Sequence, residues 1–495
     1  MIHQLYFSLP IISILLGAFV LMLLSHSKKI PLQSFNHIAV LFLSIAFVVE
    51  FTILGDNTNS YLFESIFKHD FILDDFATIF DMMFTAGAIL TLLINNDYIK
   101  SRSYFTGEYF SLILFSVFGM MMLSHAHELI TIFISLEIAS LSVYALVGYH
   151  KKKRISREAM MKYLVLGSLS GAFFILGTAL IYGAIGSTSL ENIAIYVNTT
   201  PFQEMTLLIV GASFIMITIL FKIGAVPFHA WVVDVYHGAP YPITMFMAST
   251  FKIAIFAIAL RLYIIDFAPI NHFWTEMLQV VTILTLLGGS WLAITQKTVK
   301  RMLAGSSIVH SGYLLIGLSS VGLGSDMATP AIMFYLIVYF LSASGSFGIL
   351  SFIASQSTHQ MSYDDFKGLA QERPYMSIMM TIFMLSLAGF PSTIGFLGKF
   401  YIFTSAIESG QIFLAGLGIM TAFISVYYYF KLIAMMYFYP SNVKQKKLSI
   451  NISTVLIALM ALIIVWGGIG TSLIPFIPGA DSFIEVAKQA IVSLQ

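Results

Sequence analysis

Long runs of apolar residues alternate with short polar or Gly/Pro-containing segments along nearly the whole chain. A membrane crossing needs about 20 predominantly apolar residues in helical form. On that spacing the pattern predicts helices over 4–25, 35–54, 74–94, 108–124, 128–149, 158–185 and 203–237. It predicts seven more over 240–264, 274–295, 301–320, 328–354, 375–408, 411–438 and 450–470. The end of the chain, 481–495 (DSFIEVAKQAIVSLQ), is short and amphipathic and reads as a surface helix. The N-terminal MIHQLYFSLP lacks the basic stretch of a cleavable signal, so residues 1–25 read as the first helix.

Composition agrees with this pattern. Of 495 residues 58% are hydrophobic and 10% charged, against about 45–50% and about 25% in soluble domains. That excludes a water-soluble enzyme and predicts an all-α polytopic membrane protein of about 14 transmembrane helices, surrounded by lipid bilayer. Lys plus Arg number 25 and Asp plus Glu 24, so nothing in the charge invites nucleic acid. Cysteine is absent, which removes disulfides, thiolate zinc sites and cysteine-ligated iron–sulfur clusters from this chain. The 12 histidines offer no mid-membrane pair of haem ligands, and no phosphate loop or metal motif is present. No cofactor is expected in this chain.

Seventeen of the 25 basic residues fall in loops after odd-numbered helices, including the run Lys151, Lys152, Lys153, Arg154 and Arg157. Loops after even-numbered helices carry Asp56, Glu64, Asp70, Glu191, Asp266 and Asp326, opposed only by Lys68. Basic loops stay cytoplasmic, which predicts a multi-pass protein of a bacterial cytoplasmic (inner) membrane with both termini on the outer, periplasmic side.

Two of the runs are too long for one straight crossing. Residues 203–237 would extend about 52 Å at 1.5 Å per residue, against roughly 30 Å of hydrocarbon, and 375–408 are similar. Each contains a break signal, Gly224-Ala225-Val226-Pro227 in helix 7 and Gly389-Phe390-Pro391 in helix 12, with a lysine nearby, Lys222 and Lys399. Broken helices at corresponding places in two halves point to inverted repeats with an ion site at the midplane. The register suits two five-helix repeats, helices 4–8 and 9–13. Lys252 follows Lys222, and Lys431 follows Lys399, at similar spacing; Glu137 and His310 precede them at similar spacing. The expected organisation is a three-helix segment 1–107, a first repeat 108–264, a second, inverted repeat 274–438, and a C-terminal part 439–495 holding helix 14 and the surface helix.

An unpaired charge at the centre of a bilayer costs at least about 2.5–3.5 kcal/mol on insertion scales, so buried ionisable residues are the functional candidates. Glu137 lies mid-helix among Ser135, Ala139, Ser140 and Ser142, small residues that admit close packing or water. Lys222 lies at the helix 7 break, where it can pair with Glu137 and release a proton when that partner moves. Lys252 has the same depth and no local acidic partner; Lys399 is the terminal lysine of the second half. His310, central in helix 10, and His229, after Pro227, are relay candidates. Lys431, Arg261 and Glu50 read as helix-end residues that snorkel, Asp81 is ambiguous, and Glu158 with Lys162 reads as a structural i,i+4 pair.

PFHAWVVDVYHGAPYPITMFMASTFKIAIFAIALRL (227–262) resembles the helix 7–8 signature of antiporter-like proton-pumping subunits. The segment DVYHGAP (234–240) is similar to the DVYxGAP form of subunit N of bacterial NADH-quinone oxidoreductase, respiratory complex I. EYFSLILFSVFGMMML (108–123), SLEIASLSVYALVGY (135–149), KYLVLGSLSGAFFILGTALIYGAIGS (162–187), KRMLAGSSIVHSGYLLIGL (300–318) and LSLAGFPSTIGFLGKFYIF (385–403) resemble the same family, over roughly 74–440. The resemblance implies that Glu137 and Lys222 gate proton uptake, that Lys252 carries the proton onward, and that Lys399 serves release. The sister subunit M has glutamate at the Lys399 position, and subunit L runs on into a lateral helix that this chain is too short to form. His237 stands where many relatives have glutamine.

The implied function is proton translocation in the membrane arm, coupled to quinone reduction in partner subunits. Flavin, iron–sulfur clusters and quinone are then expected in those partners, with subunit M-like and subunit K-like neighbours beside this chain. Relatives take electrons from NADH, ferredoxin or F420, and the donor stays open here. Two other readings stand beside it: a subunit of an Mrp-type multisubunit sodium/proton antiporter, and a structural subunit that only completes assembly. The DVYxGAP form disfavours the first, and four ionisable side chains at depth disfavour the second.

Overall fold

The computed structural model describes residues 2–27, 29–55, 60–61, 70–263, 267, 270–356, 361–441, 451–469 and 484–488. The described residues are mostly helical, with a two-residue antiparallel pairing of β1 (Ser60–Tyr61) with β2 (Ile72–Leu73) and two isolated bridges. The first half contains α1 (Ile2–Ser25), α2 (Leu32–Ile53), α3 (Asp75–Ile94), α4 (Gly107–His125), α5 (Leu129–Val147) and α6 (Arg154–Ile185). Two helices, α7a (Thr206–Ile223) and α7b (Val232–Gly238), replace the single predicted helix 7, followed by α8 (Tyr241–Arg261), which contains a π turn at Met247–Phe251. The second half contains α9 (Asn271–Thr295), α10 (Val299–Gly322), α11 (Ala328–Ser355), α12a (Pro374–Ala388), α12b (Ile394–Glu408), α13 (Ile412–Phe438) and α14 (Ile452–Ile469).

Among the described residues 13 helices are long and apolar enough to cross a membrane. The two pieces of the predicted helix 12 are 15 residues each, too short to span alone at 1.5 Å per residue. Both long helices are therefore broken where the glycine and proline signals stand. The helix Leu190–Thr199, which buries Leu190, Ile193 and Val197, was not among the predicted elements because its apolar face is too short to register as a span. The predicted surface helix 481–495 lies outside the described residues except for 484–488, which are helical. Lys28, Asp56, Glu64, Lys68, Asp266, Lys444, Lys446 and Lys447 also lie outside them.

The helices are sorted by enclosure. Helix α8 and helix α10 are buried on every side, and α11 nearly so. By contrast α2, α6, α13 and α14 turn wide apolar faces outward, with Val48, Val165, Leu169, Phe423 and Leu462 more than half exposed, as lipid-facing side chains must be. Helix α6 packs against both α7a and α7b, and α11 packs against both α12a and α12b, so each broken helix is splinted by one long continuous neighbour. Helix α4 packs on α5 as α9 packs on α10.

The DVYHGAP segment is a junction of four helices. Asp234 accepts from Lys162 on α6 at 3.0 Å and from Arg301 on α10 at 3.2 Å. Gly238 is required by close approach: a Cβ there would lie 2.4 Å from that of Ala159 and 2.6 Å from the Ile155 carbonyl. The Ala239 carbonyl accepts from the Lys300 ammonium at 2.6 Å, and Pro240 caps the start of α8. The Glu158–Lys162 pair forms at 3.0 Å, exposed on the α6 surface and tied into the same junction.

Candidate proton-transfer site

The two breaks solve the same backbone problem differently. The last carbonyls of any helix lack intrahelical partners, and in a bilayer water is not there to serve them. At the end of α7a, Gly224 takes the left-handed conformation (φ 75°), which glycine alone adopts without strain. The amide of Ala225 then donates to Leu220, the Trp231 indole donates to Phe221 at 3.0 Å, and the Ser311 hydroxyl donates to Ile223 at 2.9 Å. These groups leave the Lys222 ammonium free to turn toward α5. It donates to Ser140 Oγ at 2.7 Å and to the Tyr144 hydroxyl at 3.0 Å, and lies 3.8 Å from Glu137 Oε1. The lysine side chain is fully enclosed, while that of Glu137 is 20% exposed.

At the end of α12a, Gly389 is likewise left-handed (φ 83°), and the Phe390 amide closes back on Leu385. Here the lysine is itself the cap: Lys399, one helix further on, reaches back and donates to the carbonyls of Leu387 and Ala388, both at 2.8 Å. Its ammonium sits 4.9 Å from the centre of the Tyr313 ring, within cation–π range. Lys399 also lines an apolar groove of about 610 Å³ between α12b and α13.

Between the breaks lies a buried polar connection. Ser311, which donates to the Ile223 carbonyl, accepts at 2.9 Å from the Lys252 ammonium. Lys252 also donates to Ser307 Oγ at 2.6 Å and to the Ser307 carbonyl at 2.8 Å. It is the first residue after the π turn of α8, which interrupts the regular helix at this point. The ring of Tyr339 lies 5.7 Å from Lys252 and 4.9 Å from the ring of His310. His310 is held at both nitrogens, Nδ1 2.6 Å from the Tyr335 hydroxyl and Nε2 3.1 Å from that of Tyr429. Tyr429 continues into a short contact with Ser306. The Tyr313 ring, packed against His310 at 5.6 Å, is the element shared with Lys399.

Five of the six sequence candidates, Glu137, Lys222, Lys252, His310 and Lys399, thus lie in succession between α5 and α12b, with the Ile223 carbonyl between the Lys222 end of α7a and Ser311, and the rings of Tyr339 and Tyr313 on either side of His310. His229 does not join them: the residue lies in the turn between α7a and α7b, its Nδ1 without a hydrogen-bond partner. The hydroxyls of Tyr144, Ser307, Ser311, Tyr335 and Tyr429 were missed. A signal existed, since Glu137, Ser140 and Tyr144 share one face of α5, and Ser307, His310 and Ser311 one face of α10. Two assignments are overturned. Glu50 and Arg261 do not snorkel; each is 2% exposed, because other helices cover the ends on which they lie.

A fold of apolar crossing helices with broken members, each bringing a lysine into the interior, defines an antiporter-like polytopic membrane protein. Residues 126–425 match the family model described as NADH:quinone oxidoreductase/Mrp antiporter, TM. The chain belongs to this family, and within it to the NADH-quinone oxidoreductase subunit N group. It is 38% identical over 427 residues to NADH-quinone oxidoreductase subunit N of Trichlorobacter lovleyi, covering 86% of this chain and 85% of that one. A chain of respiratory complex I from Thermus thermophilus superposes with a TM-score of 0.78 at 27% identity, over 95% of this chain and 99% of that one. A chain of the Mrp complex from Dietzia sp. DQ12-45-1b superposes at 0.84 with 17% identity, over 100% and 98% respectively, a likeness of fold.

Proposed function

We propose that the chain is a proton-translocating membrane-arm subunit of an NADH-quinone oxidoreductase. The reading rests on family membership, and one observation carries its mechanism: buried ammonium, imidazole and hydroxyl groups lie in succession between the two helix breaks. Each group in that succession both gives and takes a proton or solvates one that does. A proton taken up at Glu137 and Lys222 passes by Ser311 to Lys252, then by the tyrosine cage to His310, and leaves from Lys399. His229 serves uptake from the turn beside α7a.

Helices 4–8 and 9–13 act as inverted repeats, each contributing one broken helix, with 1–107 as a flanking segment and 439–495 as a C-terminal brace. Both termini face the periplasmic side of a bacterial inner membrane, since the basic loops favour the cytoplasm. Subunit M-like and K-like neighbours flank the chain, and flavin, iron–sulfur clusters and quinone reside in other subunits. Charge shifts arriving from those subunits move Glu137 relative to Lys222. Losing that carboxylate neighbour lowers the affinity of a buried lysine for its proton, so the shift drives the proton toward Lys252.

Replacing Lys222 with Ala in the assembled complex is expected to abolish coupled pumping while electron transfer stays measurable. An unchanged proton-to-electron ratio in that variant would overturn the pathway. Sodium-dependent proton exchange by a redox-silent complex would instead support an Mrp-type antiporter.

A further inference from the structure

A second buried polar cluster lies away from the lysine line, where α2 ends, α3 begins and α4 ends. Asp74 caps α3 by accepting from the Ala77 amide at 2.7 Å, and receives both arms of Arg261 from the end of α8, at 2.8 and 3.1 Å. Two turns further along α3, Asp81 lies 2.6 Å from the Ser124 hydroxyl and 2.9 Å from His125 Nε2. The other nitrogen of His125 is 2.7 Å from the Ile72 carbonyl. A carbonyl only accepts, so Nδ1 carries a proton, and the proton between Nε2 and Asp81 is a second one that the pair shares. Asp74 with Arg261, and Asp81 with His125, are therefore each neutral as a pair.

Glu50 is left over. It is 2% exposed, and no cation reaches it among the described residues. Its Oε2 lies 2.9 Å from the Thr85 hydroxyl, which is also 2.9 Å from the Asp81 carbonyl, and one hydroxyl proton cannot serve both. Its Oε1 has no partner. The residue lines a recess of about 10 Å³ together with Asp81, Thr78 and His125, near the smallest space that holds one water. The α1 side of that recess, Phe7, Pro10 and Ile11, is apolar.

We propose that Glu50, backed by Asp81 and His125, is a separate proton-binding site, exchanging one proton through a single water in the recess. A proton on Glu50 supplies the hydrogen that the Thr85 contact lacks and removes an uncompensated charge from the interior. On release it passes to the water and outward on the side opposite the basic loops, leaving the carboxylate to be reprotonated by the same route. The site rests on this geometry and not on the lysine line.

The test is infrared pH-difference spectroscopy of the assembled complex carrying this chain. A protonated-carboxyl C=O band that titrates is expected, lost in Glu50→Gln and shifted to higher frequency in Thr85→Val, which removes its hydrogen-bond partner. The band should persist in Lys222→Ala, where the lysine line is cut. A Glu50→Gln spectrum superimposable on wild type would overturn the proposal. Loss of the band in Lys222→Ala would overturn the site's independence while leaving the pumping pathway intact. Should Glu50→Gln fail to assemble, an unshifted band in Thr85→Val would overturn it equally.

Discussion

The breaks in α7 and α12 end on the same left-handed glycine, yet their lysines are employed in different ways. At α7 the orphaned carbonyls are served by Trp231 and Ser311, so Lys222 is spared for Glu137, Ser140 and Tyr144. At α12 the carbonyls of Leu387 and Ala388 are served by Lys399 itself, with no carboxylate in ion-pair contact among the described residues. A lysine beside a carboxylate responds to whatever moves or neutralises that carboxylate. A lysine on carbonyls at a helix C-terminus sits in a fixed dipolar field. The first arrangement suits a group that must be switched, and the second a group that receives.

The largest effects are expected at the lysines. Lys399→Ala is expected to abolish pumping as completely as Lys222→Ala and also to leave two carbonyls unserved. Its thermal stability should therefore fall by about 1–3 kcal/mol more than that of Lys222→Ala, read as the difference in unfolding midpoint between the two assembled complexes. Next comes the carboxylate. Glu137→Gln should reduce pumping roughly tenfold or more, the worth of one charge-assisted contact. Glu408→Gln, at the exposed end of α12b, should stay within about twofold; equal loss in the two variants would erase the distinction between the breaks.

Smaller effects are expected at the caps of the two breaks. In Gly389→Ala the new Cβ would lie 2.8 Å from Lys399 Cδ on a backbone at φ 83°, which should cost about 1–2 kcal/mol of stability and slow proton release. The smallest effect is expected for Trp231→Phe, which removes a single buried donor to Phe221 at about 1 kcal/mol. It should draw Lys222 toward the vacated carbonyl and weaken its hold on Glu137, measurable as a shift in the pH profile of pumping. No shift would mean that the indole cap does not set the lysine's direction.

Much of this was legible along the chain. A crossing length exceeded by about three quarters and a Gly-x-x-Pro or Gly-x-Pro punctuation suffice to locate a broken helix, and both breaks fell where Gly224 and Gly389 stand. Depth along a helix also pointed to Lys222, Lys252 and Lys399, which the fold buries, and to Glu137, which it sets beside Lys222. What sequence position conveys poorly is lateral surroundings. Glu50 lies three residues from the end of α2 and Arg261 ends α8, so both looked able to reach water, yet neighbouring helices seal them in. The tyrosines were missed for a related reason: an aromatic residue at helical spacing reads as packing, and only the fold shows a hydroxyl turned onto an imidazole. Which group caps which carbonyl was not legible at all, because Trp231, Ser311 and Lys399 act across turns and between helices.

The seating of His310 between two phenolic hydroxyls has a kinetic consequence. A neutral imidazole holds a hydrogen on one nitrogen and a lone pair on the other. A proton accepted on the Tyr335 side and surrendered on the Tyr429 side leaves the ring in the opposite tautomer. The ring is then primed only for traffic in reverse until it rotates or exchanges its hydrogen. On the proposed pathway His310 would therefore work as a turnstile that must be reset after each passage. With α10 buried on every side, that reset would be an internal motion, and its rate would cap the throughput of the proposed pathway, however large the driving force supplied from outside.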